Sequence, residues 1–547
     1  MPSISSCRAR LCLELLEERC LLSFGLGPTV QVSGVDPFAD SNADDPQHQT
    51  GTLYPGSAME TFMVVDPTNP DHVAGIWQQD RWSNGGARGL VVGISFDGGQ
   101  SWQDAPLSGV GLCSGGTTAR ASDPWLAFAS NGDLFATSLT VNGQGSPLNV
   151  LVSKSTDGGL TWQAPVTIPG SFGADKESIM TDPSDPQTAY VVWTGAFSRT
   201  TDGGQTFTPA RGLPTGTGSQ IVVLPDGTLV DSDGCEVFRS TNRGQTWGSP
   251  IWVPNCDNRQ VIDPNTLEPI RAGLGLGDIA VDPNSGALYI VIEDASFSGN
   301  QHDSIAFTQS MDGGLTWSTP VAVNQTPTNI PSLDQQAFIP TVQVAADGTV
   351  GVTYYDFRYN QQGPDLPTDY WWVPGTPDGS GGITWGTELR ITDASFNFED
   401  APFAAYGKFV GDYQGRASAG NDMLNLFGHP DGGNWDSVFF RRVINLGDGS
   451  GGAPGGREST GQGLGTVLWI GPAGASSPIA LAPDRLAWQP LSVDVPALRD
   501  VFLDSPEPIA TRFTRDSQGL RHAAPSHLLD ETMAASLYSG DLWDIPE

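Results

Sequence analysis

The sequence predicts an all-β protein: a β-propeller of four-stranded antiparallel blades, seven in number, or six if the last unit packs differently. Three observations predict it. Glycine (68) and proline (42) together make up about a fifth of the 547 residues, a high share that favours short strands joined by tight turns. One octapeptide recurs along the chain, and a second, looser repeat of apolar stretch, turn and apolar stretch lies upstream of each copy. Repeats at this spacing are the signature of radial or stacked architectures.

The octapeptide reads SFDGGQSW (Ser95 to Trp102), STDGGLTW (Ser155 to Trp162), TTDGGQTF (Thr200 to Phe207), STNRGQTW (Ser240 to Trp247) and SMDGGLTW (Ser310 to Trp317). Its third positions are 60, 45, 40 and 70 residues apart, about one four-stranded sheet plus loops. A sixth form, TPDGSGGITW (Thr376 to Trp385), carries an insertion. The upstream turns are DPTNPDHV (Asp66 to Val73), ASNGDL (Ala129 to Leu134), DPSDPQTA (Asp182 to Ala189), LPDGTL (Leu224 to Leu229), DPNSGAL (Asp282 to Leu288), AADGTV (Ala345 to Val350) and SAGNDM (Ser418 to Met423). Their Asp-Gly, Asn-Gly and Asp-Pro pairs suit hairpins. Each unit therefore reads as strand, turn, strand, loop, strand, Asp-Gly-Gly turn, strand.

The seventh unit has strands near Gly415 to Ala419, Met423 to Phe427 and Ser437 to Val443, and no octapeptide after them. A ring leaves no sheet edge open, so Thr29 to Ser33 from the chain start is expected to supply the missing outer strand. The chain divides into a leader over 1–27, the propeller over 28–446, a Gly-rich linker over 447–465 and a C-terminal tail over 466–547, read as partly disordered.

The octapeptide SxDGGxTW resembles the Asp-box (BNR) repeat of the sialidase superfamily, and the resemblance covers about 415 residues. It implies that the box is a peripheral hairpin, its Asp bonding the turn backbone and its aromatic packing between sheets. The same follows from the chemistry of a short acceptor ahead of two glycines and of a large ring at a sheet edge. Asp97, Asp157, Asp202 and Asp312 are accordingly read as structural.

Composition narrows the partners. The formal charge is −35, with 26 basic against 61 acidic residues and only three lysines, Lys154, Lys176 and Lys408. Nucleic acid and anionic membrane surfaces are disfavoured, because both need clustered cations. No window approaches the roughly 18 uninterrupted apolar residues of a membrane span. The stretch RLCLELLEERCLLS (Arg10 to Ser23) resembles leader segments of large secreted bacterial envelope proteins, and equally reads as an amphipathic helix with Leu11, Leu15 and Leu22 on one face. A secreted or cell-envelope location in a bacterium is the expectation. Three cysteines, Cys7, Cys12 and Cys20, lie in that leader; of Cys113, Cys235 and Cys256, the last two could form a disulfide. The six histidines show no zinc spacing. No cofactor is expected; Asp residues at strand starts could ligate Ca²⁺, but no DxDxDG loop specifies it.

Strand direction places the first–second turns and the octapeptide turns at one end of the ring, and the remaining loops at the other. Those remaining loops are rich in charge, with Asp123, Asp175, Asp278 and Asp412 just ahead of first strands, so a concave charged mouth is expected there. The sialidase resemblance implies an arginine clamp on the sugar carboxylate, a Tyr nucleophile aided by a Glu, and an Asp acid and base. The candidates are Arg81, Arg120, Arg358 and Arg416 for the clamp, Tyr413 as nucleophile, Glu177 as its activator and Asp123 as acid. The chain departs from the family in lacking the Phe-Arg-Ile-Pro motif of the first clamp arginine, and each candidate could equally belong to an inter-blade ion pair. The expected function is recognition of an acidic or neutral glycan or glycoprotein without catalysis. The alternative is an active exo-alpha-sialidase-type glycoside hydrolase.

Overall fold

The computed structural model describes residues 24–447 apart from 45, 214–219, 255 and 274. The leader, save its last four residues, and the linker and tail, beyond residue 447, lie outside the described residues. Within them the protein is all-β, built mainly of antiparallel four-stranded units, two of which join into one sheet and two of which carry extra short strands.

Sheet I runs Leu53–Asp66, Asn69–Trp82, Ala87–Ser95 and Gln103–Pro106; sheet II runs Arg120–Phe128, Leu134–Val141, Pro147–Ser155 and Val166–Thr167. A bridge from Ala87 to Ala121 joins these two edge to edge. Sheets III, IV and V begin with Ser178–Asp182, Gln220–Val223 and Asp278–Val281. Sheet VI begins with Ala337–Val344, and its long third strand, Pro367–Pro377, pairs with three short pieces rather than one. Sheet VII contains Gly415–Ala419, Asp422–His429 and Ser437–Asn445. Its fourth place is filled from the chain start: Val30–Gln31 pairs with Phe440 and Phe439, and Phe24–Leu26 extends the same edge. The expected clasp is present and one strand longer than expected.

The strands follow from alternation at half-buried positions and from β-branched and aromatic runs such as Leu288–Asp294, in which all seven residues are buried. The core is distributed between neighbouring sheets. Tyr190 and Phe197 of sheet III meet Ile221 and Leu229 of sheet IV, whose Val230 and Val237 meet Ile279 and Ile290 of sheet V. Between sheets VI and VII, Tyr370 and Trp372 pack with Met423 and Phe427; Leu426 and Phe440 of sheet VII pack with Trp77 and Val91 of sheet I. First strands of successive sheets touch, and the first strands of sheets VII and I touch as well.

The octapeptide turns share one geometry. Ser155 Oγ donates to Asp157 Oδ1 at 2.8 Å, Thr161 N to Oδ1 at 2.9 Å and Thr161 Oγ1 to Oδ2 at 2.5 Å. Asp97, Asp202 and Asp312 repeat this set. In the fourth copy Asn242 takes the place, its Oδ1 accepting from Thr246 N at 2.9 Å and its Nδ2 donating to Thr246 Oγ1 at 2.8 Å. The second glycine of each turn meets the preceding sheet. At Gly99, φ is +93°, and a Cβ there would lie 2.2 Å from Phe440 of sheet VII; Gly244 stands in the same relation to Phe197. The aromatic of the box packs on the same neighbour, with Trp102 at 5.4 Å from Phe440 and Trp247 at 5.4 Å from Phe197.

The suggested disulfide is absent. Cys113, Cys235 and Cys256 are free thiols, with Cys256 Sγ directed at Gly234 O. Among the described residues no helix is long and apolar enough to cross a membrane.

Candidate functional site

The start of each first strand is the feature that builds the site. Register shifts interrupt pairing between Met59 and Phe62, Ser122 and Trp125, and Phe338 and Thr341. At the bulges Glu60, Asp123 and Ile339 take left-handed φ of 53°, 47° and 51°, and Lys176 takes 54° just ahead of its strand. Such a conformation costs a non-glycine residue of order 1 kcal/mol and more for a branched one, and a bulge re-aims the side chain it carries. The four residues stand six positions ahead of the turn starts Asp66, Ala129, Asp182 and Ala345, so the strain is a repeated feature of the fold.

A hydrogen-bonded chain links two of these bulges, at Glu60 and Asp123, to Lys176. Arg81 Nη1 donates to Gln78 Oε1 at 2.6 Å, and Gln78 Nε2 donates to Glu60 and, at 3.1 Å, to Ser122 Oγ. Ser122 Oγ donates to Asp123 Oδ1 at 2.9 Å, and Lys176 N donates to Asp123 Oδ2 at 3.1 Å. Tyr413 lies beside this chain, its OH donating to Pro124 O at 3.5 Å and its ring 5.4 Å from Trp125. Lys176 Nζ sits 3.4 Å from the centroid of the Tyr413 ring, a cation–π contact, and makes no hydrogen bond. Glu177 is 2% exposed, and neither of its carboxyl oxygens has a hydrogen-bond partner.

The electrostatics follow from burial. Burial holds the carboxyls of Glu60 and Glu177 well above the usual carboxylate range; Arg81 opposes this at Glu60, whereas Asp123 reinforces it at both. Burial, with Glu60, Asp123, Glu177 and Asp412 around it, also raises the Tyr413 phenol well above its ordinary value. Tyr413 is thus held as a neutral phenol.

Two spaces lie beside the first strands. A recess of about 30 Å³ is lined by Lys176, Glu177, Asp278, Asp412, Tyr413 and Arg416, among others. It has room for a group of about water size. A larger cavity of about 430 Å³ is lined by residues of all seven first strands, including Phe62, Leu126, Thr181, Val222, Ala280, Gln343 and Ala417, and extends to Pro67, Ser130 and Pro183 in the turns. Trp125, Gln220 and Arg416 line both. The larger space therefore reaches the octapeptide end, opposite the end at which a mouth was expected. At that expected end the charged groups are buried, and the hairpin of Phe403–Ala404 and Gly407–Lys408 leads into Phe409, which packs on Met59 and beneath the guanidinium groups of Arg81 and Arg271.

Asp123, Glu177 and Tyr413 are brought together, and Arg81 joins them through Gln78. Arg416 reaches the recess floor, where it donates to Asp278 Oδ1 at 2.5 Å and to Val342 O at 2.9 Å. Arg120 and Arg358 stand elsewhere. Arg120 donates to Gln49, Asn84 and the carbonyls of Thr50, Gly85 and Gly143, tying loops together. Arg358 is held by Asp356, Glu388 and Tyr354 over the Trp371 ring. Glu60 and Arg271 were missed; Arg271 forms a two-point pair with Asp412 at 2.6 and 3.3 Å. The six-residue offset from the turns is the signal that marks Glu60. No group of three or more His, Cys, Asp or Glu side chains among the described residues is placed to hold a metal ion.

No family model and no curated protein matches the chain. Among solved structures it is similar to a Dyadobacter fermentans protein of unknown function, with 12% identity and a TM-score of 0.39 over 72% of this chain and 98% of that one. It is also similar to a Hadza microbial sialidase, with 16% identity and a TM-score of 0.38 over 71% of this chain and 66% of the other. For a Trypanosoma rangeli sialidase the values are 12% and 0.36, over 71% and 55%.

Proposed function

We propose that the chain is an exported, seven-bladed Asp-box propeller that recognises a hydroxyl-rich, non-acidic glycan along its axis and does not cleave it. Seven blades are supported by the seven sheets, by the unbroken cycle of first-strand contacts and by the packing of Gly99 on Phe440, which repeats across the VII–I seam the relation of Gly244 to Phe197. Export rests on the leader's resemblance.

One observation carries the functional reading: the arginines nearest the axis already have protein partners, while the buried Glu177 carboxyl has no hydrogen-bond partner. A sialic acid carboxylate needs guanidinium forks open to it and would meet an acidic recess. Sugar hydroxyls need acceptors, apolar walls for the ring and a cavity of some hundreds of Å³. Trp125, Phe62 and the 430 Å³ cavity supply the walls and the room, and Glu177 supplies a carboxyl for one protruding substituent. Titration of the full chain with neutral oligosaccharides should give saturable binding, with no release of fluorophore from an aryl sialoside. Sialoside turnover would reject the reading.

A second reading, an exo-alpha-sialidase-type hydrolase, is favoured by the gathering of Asp123, Glu177 and Tyr413. In that case Tyr413 would attack the anomeric carbon, Glu177 would take its proton and Asp123 would protonate the leaving oxygen. Turnover abolished by Tyr413→Phe would then be expected, and by Arg358→Ala if that side chain left its present partners.

A further inference from the structure

Carboxyls outnumber cationic groups around the recess beside Tyr413. The carboxyls of Glu60, Asp123, Glu177, Asp278 and Asp412 gather around it, against the cationic groups of Arg81, Lys176, Arg271 and Arg416. Asp278 and Asp412 are each bonded to an arginine, and Asp123 accepts from Ser122 and Lys176 N. Glu60 receives the Gln78 amide. Glu177 alone of the five is buried with both oxygens lacking any hydrogen bond, and it lines the recess. A buried carboxyl left in this way is destabilising unless a proton or a cation meets it. The chain already places one ammonium here: Lys176 Nζ lies on the Tyr413 face without a hydrogen bond. An aromatic face next to a carboxyl is a general recognition surface for ammonium groups.

We propose that the recess takes a primary ammonium group, the amino substituent of an amino sugar, with the Glu177 carboxylate as its partner, the Tyr413 ring as its wall and the Lys176 side chain as the group it displaces. The inference rests on the glycan reading and names its ligand class. The recess admits a water-sized group, so the amino substituent enters while the pyranose ring stays in the larger cavity against Trp125. Arg416 at the junction does not repel it, because its charge is met by Asp278.

The test is calorimetric titration of the full chain, at fixed ionic strength, with glucosamine, N-acetylglucosamine, glucose and methylammonium chloride. Glucosamine should bind at least tenfold more tightly than the other two sugars, because acetylation removes the charge and glucose never carries it. Methylammonium should compete. Glu177→Gln, which keeps shape, should erase the preference, and Lys176→Met should strengthen glucosamine binding several-fold. Equal affinity for glucosamine and glucose would overturn the ammonium inference and leave the glycan reading standing. Binding of methylammonium with no response to any sugar would uphold the ammonium site and overturn the glycan reading. No response to either glucosamine or methylammonium, or an undiminished preference in Glu177→Gln with its fold verified by circular dichroism, would overturn the inference.

Discussion

The octapeptide turns and the axial recess are both built on carboxylates, yet they treat them in opposite ways. At Asp157 and Asp312 both oxygens accept hydrogen bonds from within the same turn, and those bonds together hold the carboxyls down at about 2, against burial that is the largest single influence at Asp312 and a minor one at Asp157. In the recess Glu177 accepts no hydrogen bond, and burial pushes it up. A carboxylate that is saturated by its own hairpin can only support structure. One buried without partners is costly to the fold and available to a ligand. The loudest motif in the chain is therefore scaffold, and the buried carboxyl left without hydrogen bonds stands where no motif marks it.

The comparison breaks most visibly at the seam between the last and first sheets. Phe440→Ala should destabilise the protein by about 3–5 kcal/mol, the usual cost of truncating a buried aromatic, and Gly99→Ala by about 2–4 kcal/mol, since it adds overpacking to backbone strain. Thermal or urea unfolding measures both. If neither change matters, the seam does not hold the first and last sheets together. At the turns, Asp157→Ala should cost about 0.5–1.5 kcal/mol by removing the bonds that fix the hairpin, whose exposed donors then turn to water. Asp157→Asn should cost under about 1 kcal/mol, as Asn242 already fills the equivalent place with its amide turned to Thr246. An equal loss in both would show that charge, not bonding, is what the turn needs.

The pH profile sharpens the contrast. Asp80 and Asp303 are pushed up to about 6 and about 7, chiefly by burial. The folded state therefore binds more protons than the unfolded, and stability is lost as pH rises from about 4 through that range. The turn carboxylates act in the opposite sense, losing stability as pH falls from about 4 toward 2. Maximal melting temperature is expected near pH 4 to 5; a maximum above pH 7 would contradict the placement of the buried acids. Smallest of all should be the effect of Glu177→Gln on stability, within about 0.5 kcal/mol or slightly favourable, because an amide of the same shape replaces a buried acid without removing a bond.

The reading of the sequence succeeded where structure is local. Asp97, Asp157, Asp202 and Asp312 bond within four residues of themselves, so their role is written in the octapeptide. The meeting of Asp123, Glu177 and Tyr413 was also legible, because each stands at the inner end of a first strand and strand direction fixes which end that is. Arginine partners were not. A guanidinium group reaches several residues in any direction, and whether it faces a ligand depends on loops such as Gln49–Thr50 or on Glu388, whose places follow from long-range packing. The open mouth failed for a similar reason: the hairpin ending in Phe409 lies over Arg81 and Arg271 only once the insertions ahead of the fifth and seventh sheets have packed together. Cys235 and Cys256 were rightly placed near one another, but proximity does not settle oxidation state.

The most direct test is a paired titration of the wild-type chain and Glu177→Gln with a neutral oligosaccharide and with sialyllactose, using Asp157→Asn as the control. Saturable heat with the neutral sugar that persists in both Glu177→Gln and Asp157→Asn and has no counterpart with sialyllactose is the predicted result. Tighter binding or cleavage of sialyllactose, or no saturable heat with the neutral sugar, would contradict it.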